Sequence, residues 1–404
     1  MHRSHRTDLQ ADVLVVGAGL TGSAVAWKLA ERGRSVIVVD RDVPASAHGS
    51  SHGSARIFRY PYPDPLYTRL VVDAAAQWDD LERRTGRPLV TRCGGVDYGD
   101  VRDPVHLAGV LRDAGVDHEL MSPTTAQDRW PFLSFRGPHE STPVLWHPGA
   151  GVIDAEATVR AQQAEAVRGG ALFLDHWTVS SVRRLGGTRT GYSVISASGS
   201  TIEAGQVVIA AGGWVNDVLA TTELPDNFLR RLPTAQVSEE YAYHFPYRDS
   251  AADWPTTINL TRELQVYSLP GGRDAGGRGQ KVAVYNAGRK MNSAAHQDGV
   301  VDATNRTLVV DYVRRNMPGL VPEPYAETTC LFTTLPNDDF LIDGTDGITV
   351  VSPCSGHGAK FAPLIGDLVA GLVTGRSTVP EQFRAPANPG HRRETHHPVP
   401  DDRV

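Results

Sequence analysis

The stretch that decides the fold is VLVVGAGLTGSAVAWKLA, residues 13–30, followed by SVIVVD at residues 35–40. An unbroken apolar run predicts a strand over residues 12–16 that is buried on both faces. After the glycines, apolar side chains recur with helical spacing and predict a helix over residues 21–32. The second apolar run predicts another strand. The N-terminal region is therefore expected to form a βαβ unit.

The glycines of this unit fit the pattern G-x-G-x-x-G. Gly17 allows a tight turn, Gly19 lets the backbone approach a pyrophosphate, and Gly22 lets the helix pack closely on the strand. Asp40 ends the second strand, where its carboxylate can accept a hydrogen bond from a ribose hydroxyl. The alternative is a glycine-rich turn without a ligand, and the strand, turn, helix and strand order argues against it.

NAD and FAD proteins share this pattern, so a second feature is needed to choose between them. Near the C-terminus, a strand predicted over residues 348–351 leads into the glycine-rich turn SGHG at residues 355–358 and a helix predicted over residues 362–374. A returning segment of this kind can contact the distal ring system of the cofactor. FAD is therefore favoured.

The composition is that of an ordinary globular chain with an unusual choice of cations. Its 404 residues suggest about two domains. The net charge of −6 argues against nucleic acid or an anionic membrane as partner. The three cysteines, at positions 93, 330 and 354, lack CxxC spacing, so we predict neither a disulfide scaffold nor a metal site. No apolar run is long enough to span a membrane, and a soluble cytoplasmic protein is expected.

Only four of the 40 basic residues are lysines, and the other 36 are arginines. A lysine that persists against this preference is a candidate for chemistry that needs a compact ammonium group with an adjustable pKa. Lys360 follows the second glycine-rich turn, and Lys281 lies on a predicted strand. We assign Lys28 to the first helix, with its stem among small apolar residues and its ammonium reaching water, and Lys290 to surface charge in a turn. Four ordinary scattered lysines are the alternative.

Further strand and helix signals predict a discontinuous nucleotide-binding domain. They comprise a helix over residues 155–169 and extended segments over residues 171–182, 192–195 and 201–210. Two segments interrupt this alternation of strands and helices. They contain alternating strands, many prolines and a glycine-rich hairpin tip at residues 271–279. A second domain inserted into the first is therefore expected.

Four segments resemble the monomeric sarcosine oxidase and N-methyltryptophan oxidase family of D-amino acid oxidase-like flavoproteins. Besides the βαβ unit, they are GSSHGSARIFR at residues 49–59, TCLFTTLPNDDFLID at residues 329–343 and SGHGAKF at residues 355–361. The last is close to the family's S-G-H-G-F-K-F. The resemblance covers about residues 11–384.

The resemblance implies an α/β fold with an α+β insert, in which a Rossmann-like FAD-binding domain carries an inserted antiparallel-sheet substrate domain. The predicted boundaries are 11–85, 148–222 and 328–384 for the FAD-binding domain, 86–147 and 223–327 for the substrate domain, and 1–10 and 385–404 for loose tails.

The resemblance also implies the cofactor contacts. Cys330 would form a thioether to the 8α-methyl carbon of the flavin, whereas an inert buried thiol is the alternative. The other residues expected to contact FAD, beyond Gly17, Gly19, Gly22 and Asp40, are Ser50, Ser51, His52, Arg56, Val179, Gly356, His357, Gly358 and Lys360.

For catalysis, the resemblance implies that Arg59 and Lys360 hold the substrate carboxylate and that Lys281 activates oxygen by a preplaced positive charge near the flavin. A salt bridge to an acid of the inserted domain is the alternative for Arg59. The family places histidine and tyrosine where this chain has Tyr285 and Phe332. Both changes alter the polarity and volume of the pocket, so a substrate larger or more apolar than sarcosine is expected.

These features imply a FAD-dependent amine oxidase, expected to be monomeric, that uses oxygen. It would oxidise the C–N bond of a secondary, N-methyl or cyclic amino acid to an imine and form hydrogen peroxide. One alternative is a ring-desaturating or aromatising tailoring oxidase of a specialised biosynthetic pathway. Another is a flavin-loaded electron-transfer or structural protein without oxidase activity.

Overall fold

A computed structural model describes residues 9–135 and 142–387. Within these ranges the helices are α1 (Leu20–Glu31), α2 (Pro65–Thr85), α3 (Pro104–Asp113), α4 (Pro123–Arg129), α5 (Ala155–Arg168), α6 (Val215–Ala220), α7 (Asp226–Leu229), α8 (Ala303–Asn316) and α9 (Ala362–Val373).

The strands fall into three sheets. They are β1 (Leu9–Val16), β2 (Val36–Val39), β3 (Arg56–Phe58), β4 (Val90–Arg92), β5 (Gly95–Tyr98), β6 (Glu119–Met121), β7 (Val144–His147), β8 (Gly151–Ile153), β9 (Leu172–Leu174), β10 (Val179–Arg184), β11 (Tyr192–Ser196), β12 (Thr201–Ile209), β13 (Gln236–Pro246), β14 (Thr256–Leu260), β15 (Gln265–Pro270), β16 (Gly279–Val284), β17 (Arg289–Met291), β18 (Ala326–Thr334), β19 (Leu341–Thr345) and β20 (Ile348–Ser352).

The first sheet has eight strands and a parallel centre in the order β9-β2-β1-β12-β20. Antiparallel strands extend its far side, where β11 pairs with the first half of β12 and β20 with the second half. Helix α1 packs on this sheet between α5 and α9. Val13 and Val15 join the core under these helices, whereas Leu14 and Val16 join the core on the opposite face. The apolar run is continuous because both faces of β1 are covered.

The predicted βαβ unit is confirmed, and β1, α1 and β2 lie within a few residues of their expected bounds. The strands and helices expected after residue 150 also form, including α5, β20 and α9. Six helices were not predicted, namely α2, α3, α4, α6, α7 and α8. Of these, α2, α3, α4 and α8 begin with a side-chain cap, and in α2 the cap is Asp64, followed by proline at the first helical position.

The second sheet has nine strands and lies in the inserted part of the chain. Its order is β17-β13-β16-β15-β14-β5-β7-β6, and β18 pairs with β13 over its whole length. All pairings are antiparallel except that between β14 and β5. The glycine-rich tip at residues 271–279 connects β15 and β16 as an antiparallel pair. A mixed α/β architecture with a mainly antiparallel insert is therefore observed.

The sheets show how the predicted domains meet. Apart from Leu9 and Gln10 of β1, the strands of the first sheet fall within the three segments expected to bind the cofactor. Strand β18 crosses the predicted boundary between residues 327 and 328, because its residues pair with β13 of the second sheet. A small third sheet, in the order β3-β8-β4, takes strands from both predicted domains.

The predicted tails lie mostly outside the described residues, but both predicted ranges include residues that belong to the fold. Leu9 and Gln10 already belong to β1, where they pair with β12. Ala385 is buried, and its backbone N–H donates to the carboxylate of Asp343. Both segments are ordered by backbone hydrogen bonds, which a hydrophobicity pattern does not report.

Along residues 9–135 and 142–387, none of the helices combines the length and the apolar character needed to cross a membrane.

Replacing Gly22 by alanine is expected to destabilise the first sheet. A Cβ atom at Gly22 would lie 1.8 Å from the carbonyl oxygen of Gly17, so α1 must move away from β1. We expect the free energy of unfolding in urea to fall by about 1–3 kcal/mol or more. Gly186→Ala is the control, since a Cβ there has no atom within 4 Å. Equal stability of the two variants would contradict this account.

Candidate active site

Two cavities meet at one junction between the first and second sheets. The first, of about 500 Å³, runs along the carboxyl ends of β1 and β2 and the start of α1. The second, of about 460 Å³, lies between β14–β16 and the turn that precedes α9. Five residues border both cavities: Arg56, Cys330, Phe332, Gly356 and Ala359.

The glycine turn forms one end of the first cavity. Gly17 has φ +101° and passes so close to β12 that a Cβ would lie 2.4 Å from the carbonyl oxygen of Ala210. Gly17 and Gly19 line the cavity, whereas Gly22 lies behind them in the contact between α1 and β1. The backbone can therefore approach a ligand closely at this end.

Asp40 lies at the cavity edge and is held by the backbone. Its carboxylate accepts hydrogen bonds from the N–H groups of Ala18 (2.6 Å) and Asp42 (3.0 Å). Burial raises the pKa of this carboxyl group above its usual value. Val179 lines the same cavity further along. Both residues are thus where a bound nucleotide would reach them.

The segment after β2 contributes Ser50 and Ser51 to the cavity wall. The Ser51 hydroxyl accepts a hydrogen bond from the N–H of Leu20 (3.0 Å) at the start of α1. Arg56 is fixed by carbonyl groups, since its Nη2 donates to the carbonyls of Ser50 (3.0 Å) and His52 (2.9 Å). Its guanidinium reaches the junction of the cavities.

His52 borders neither cavity, unlike its predicted neighbours. Burial, together with the nearby cations Arg56 and Lys281, lowers the pKa of its ring to about 4. Its Nε2 has no hydrogen-bond partner among the described residues. The ring of His52 is therefore neutral, and it is the backbone carbonyl of His52 that helps to fix Arg56.

Of the three cysteines, Cys330 alone borders both cavities. It lies on β18 opposite Glu240 of β13, and its thiol is free. Cys354 lines the first cavity, where its sulfur accepts a hydrogen bond from the N–H of Thr333 (3.4 Å) and burial raises its pKa. Cys93 lies elsewhere, and burial raises its pKa to about 11. Cys330 is the cysteine best placed to contact a ligand that fills both cavities.

Arg59 and Lys360, the two cations expected to hold a carboxylate, both line the second cavity. The Arg59 guanidinium donates to the carbonyl of Pro61 and lies 4.6 Å from the centre of the Tyr62 ring. In the part of the chain that the structure describes, no carboxylate lies within ion-pair distance of Arg59. The salt-bridge alternative is therefore not observed.

Lys360 is only 3% exposed. Its ammonium donates to the carbonyl of His357 (2.7 Å) and to the hydroxyl of Tyr62 (2.9 Å). Burial and the nearby Arg59 lower the pKa of Lys360 well below its usual value. An anion bound between these two cations would favour the charged form of the lysine.

Lys281 enters the same cavity from β16 and is 5% exposed. The ammonium of Lys281 donates a weak hydrogen bond to the carbonyl of Ala55 (3.5 Å). Burial and the positive charge of Arg56 lower the pKa of Lys281 to about 8. At neutral pH this ammonium keeps most of its charge and is close to titration.

Tyr285 and Phe332 close the second cavity over Gly356. Their ring centres are 5.9 Å apart, and a Cβ at Gly356 would lie 2.8 Å from a carbon of each ring. The backbone of Gly356 has φ +69°, which glycine adopts without strain. The Tyr285 hydroxyl donates to the carbonyl of Ser355 (3.2 Å). This contact between the two aromatic residues and the turn requires glycine at position 356.

Several residues of the second cavity were not predicted. Arg102 lines it and forms a buried ion pair with Asp97 (2.6 Å), and His147 lies 3.6 Å from the same carboxylate. Burial alone raises the pKa of Asp97, but Arg102 and His147 lower it, so that it reaches about 2. Tyr62, on the loop after Arg59, was also missed. No sequence spacing links these residues, which meet only through the fold.

Residues 9–135 and 142–387 contain no group of three or more His, Cys, Asp or Glu side chains arranged to share a metal ion.

Comparison with known proteins gives the family of this chain. Residues 12–372 match the family described as FAD dependent oxidoreductase. The monomeric sarcosine oxidase of Streptomyces avermitilis is 31% identical over 384 residues, covering 91% of this chain and 95% of that protein. The N-methyl-L-tryptophan oxidase of Yersinia pestis is 28% identical over 370 residues, covering 89% of this chain and 94% of that protein.

Solved structures show the same fold. NikD, an unusual amino acid oxidase essential for nikkomycin biosynthesis, superposes in its open form with a TM-score of 0.80 and 25% identity, covering 96% of this chain and 100% of that chain. Glycine oxidase of Geobacillus kaustophilus superposes with a TM-score of 0.73 and 18% identity, covering 94% and 99% of the two chains. The second likeness concerns the fold alone.

Proposed function

The chain belongs to the FAD dependent oxidoreductase family, and from that premise we propose that it is an amine oxidase that forms hydrogen peroxide. Its substrate would be a secondary, N-methyl or cyclic amino acid, oxidised at the C–N bond to an imine. The observation that carries the proposal is the junction of the two cavities, where a nucleotide-sized space opens onto a second space lined by Arg59, Lys360 and Lys281.

The first cavity fits FAD in its donor set and its shape. Gly17 and Gly19 leave room for a pyrophosphate against the backbone, and Asp40 offers carboxylate oxygens to a ribose. Ser50, Ser51, Val179, Gly356 and Gly358 line the same space. Arg56 and Cys330 lie at its inner end, where the flavin ring would meet the second cavity. When bound, FAD would supply the two-electron chemistry.

We further propose a covalent flavin held by the Cys330 sulfur. Support comes from the position of this thiol on both cavities and from the sequence that follows it. Cys354 reaches the first cavity only, and its sulfur is already a hydrogen-bond acceptor.

The chain's own residues would orient the substrate and supply fixed positive charges. Arg59 and Lys360 would bind its carboxylate and so direct its amine carbon toward the junction. Lys281 would hold a positive charge beside the site where oxygen gains electrons. Overall, two electrons and two protons leave the amine to form the imine, and oxygen takes up both to form hydrogen peroxide.

The second cavity favours a substrate larger or more apolar than sarcosine. Apart from the cations, its wall is mostly aliphatic and aromatic, with Tyr285 and Phe332 at the junction. The other large aliphatic and aromatic members of the wall are Ile57, Tyr62, Tyr67, Val101, Leu107, Ile258, Leu260, Val266, Tyr267 and Leu269. Burying an apolar substituent here is favourable by about 0.8 kcal/mol per CH₂ group.

A second candidate function uses the same cofactor but gives a different product. The likeness to NikD, an amino acid oxidase essential for nikkomycin biosynthesis, supports a tailoring oxidase of a specialised biosynthetic pathway, for which we propose desaturation or aromatisation of a ring. A flavin-loaded protein without oxidase activity is a third candidate, and Lys281 beside the junction argues against it. We also propose that the protein works in the reducing cytoplasm, since its three cysteines are unpaired. The proposal that it is monomeric rests on the family resemblance.

A substrate panel tests the proposed activity. We expect peroxide from N-methyl amino acids with large apolar side chains, and from pipecolate or proline, at higher kcat/KM than from sarcosine. Peroxide released per substrate is measured together with the product mass. More than one peroxide per pipecolate, or activity confined to dihydropyridine-type acids, would favour the ring-modifying candidate. Inactivity on every secondary amine, with flavin fully bound, would rule out the proposed reaction.

Replacing Cys330 by serine is expected to release the flavin on denaturation. The wild-type polypeptide should keep yellow fluorescence after denaturing electrophoresis, because a thioether survives unfolding. The serine variant should lose this signal while still binding FAD in the folded state. Cys354→Ser is the matched control and should retain it. Fluorescence that persists in the Cys330 variant would disprove the linkage.

Replacing Lys281 by methionine is expected to slow reoxidation of the reduced flavin by oxygen at least about a hundredfold, since a preplaced charge is lost. In the wild type, the rate should decline as pH rises through about 8, where the ammonium loses its proton. The variant should lack this decline. Stopped-flow absorbance measures both, with exposed Lys290→Met as control. Unchanged reoxidation in Lys281→Met would support the candidate without oxidase activity.

A further inference from the structure

Tyr62 occupies an unusual position between the two cations of the second cavity. It lies in the loop that connects β3 to α2 and is 6% exposed. Lys360 donates to its hydroxyl at 2.9 Å, and the Arg59 guanidinium lies over its ring at 4.6 Å from the centre. One side chain therefore touches both groups assigned above to the substrate carboxylate.

The direction of the hydrogen bonds around Tyr62 follows from what each group can do. An ammonium only donates, so the phenol oxygen accepts from Lys360 and its own hydrogen is left for Nδ1 of His357, 3.1 Å away. His357 Nε2 lies 2.8 Å from the carbonyl of Asp338, which only accepts. The chain of donors thus runs from Lys360 through Tyr62 and His357 and ends at a carbonyl.

The effect of this chain of hydrogen bonds is to fix the direction of the Lys360 ammonium. Two of the three N–H groups of Lys360 are used by Tyr62 and the carbonyl of His357, which leaves one for a ligand in the cavity. The same bonds keep the phenol hydroxyl from rotating.

The ring of Tyr62 contacts the guanidinium of Arg59. An aromatic face attracts a guanidinium, and this attraction opposes the repulsion between the neighbouring cations Arg59 and Lys360. The ring is itself held by stacking on Tyr67, with ring centres 5.3 Å apart. The carbonyl of the preceding residue, Pro61, accepts from both Arg59 and Arg102. Tyr62 is therefore anchored from several sides.

We propose that Tyr62 is the positioning residue of the carboxylate-binding pair, its ring holding Arg59 and its hydroxyl holding Lys360 so that both cations face one carboxylate. The inference deepens the proposed function, on which it rests. It also extends the site to a residue whose side chain carries no charge and performs no step of the oxidation.

Ligand binding to the holoenzyme tests this role. Benzoate and its neutral analogue benzamide are titrated against the wild type, Tyr62→Phe and Tyr62→Leu while the flavin absorbance is followed. Tyr62→Phe should weaken benzoate binding about tenfold to a hundredfold, the effect of losing a hydrogen bond to a charged group. Tyr62→Leu should weaken it at least as much, since the ring is lost too. Benzamide binding should change less than about twofold in Tyr62→Phe, because no charged contact is involved.

Two controls separate positioning from general packing. Tyr60→Phe removes a hydroxyl two residues away that borders neither cavity, and it should leave benzoate binding unchanged. In a Lys360→Met background, Tyr62→Phe should add little further loss, because the two residues act through one contact. Flavin loading of each variant checks that it folds. If Tyr62→Phe fails to load flavin, the conservative His357→Gln, which alters the next bond of the chain, is titrated in the same way and should selectively weaken benzoate.

The outcomes distinguish this inference from the proposed function. Selective loss of benzoate in the Tyr62 variants supports the positioning role even if the wild type oxidises no amine on the panel. Equal loss of benzoate and benzamide, additive effects of Tyr62→Phe and Lys360→Met, or a wild type that binds benzamide as well as benzoate would each overturn it, even if amine oxidation is observed.

Discussion

The site depends on how the protein keeps four cations at one buried junction without neutralising them. Backbone carbonyl oxygens hold all four. Arg56 donates to the carbonyls of residues 50, 52 and 55, Arg59 to that of Pro61, Lys281 to that of Ala55, and Lys360 to that of His357. A carbonyl compensates part of the desolvation of a cation and leaves its net charge in place. The junction therefore retains an excess of positive charge suited to an anionic ligand.

Arg102 is a buried cation of the same cavity that is held in a different way. Arg102 borders the same cavity, but its charge is matched by the carboxylate of Asp97, so the pair adds no net charge. The chain thus contains both ways to bury a cation, with a carboxylate partner where structure is needed and with carbonyls where a ligand is expected. Burial of a cation that is held by carbonyl groups disfavours its charged form. This desolvation explains the lowered pKa values of Lys281 and Lys360.

Much of the fold could be predicted from local signals in the sequence. The apolar run before Gly17 and the helical spacing after it gave the βαβ unit, because both depend only on neighbours along the chain. The rarity of lysine pointed to Lys281 and Lys360, and the structure brings both to the second cavity. The position of His52 and the cluster around Asp97 could not be predicted, because they follow from pairings between distant strands and loops. Tyr62 was missed for the same reason, since its partner Lys360 is 298 residues away.

The strand that carries Cys330 has a mechanical consequence. Strand β18 belongs to the nine-stranded sheet, whereas the glycine turn that faces it across the cavities belongs to the eight-stranded sheet. A flavin attached to Cys330 would be tethered to one sheet and seated against the other. Separation of the two sheets would then have to pull the nucleotide from its turn, so the tethered cofactor would couple the unfolding of one sheet to that of the other.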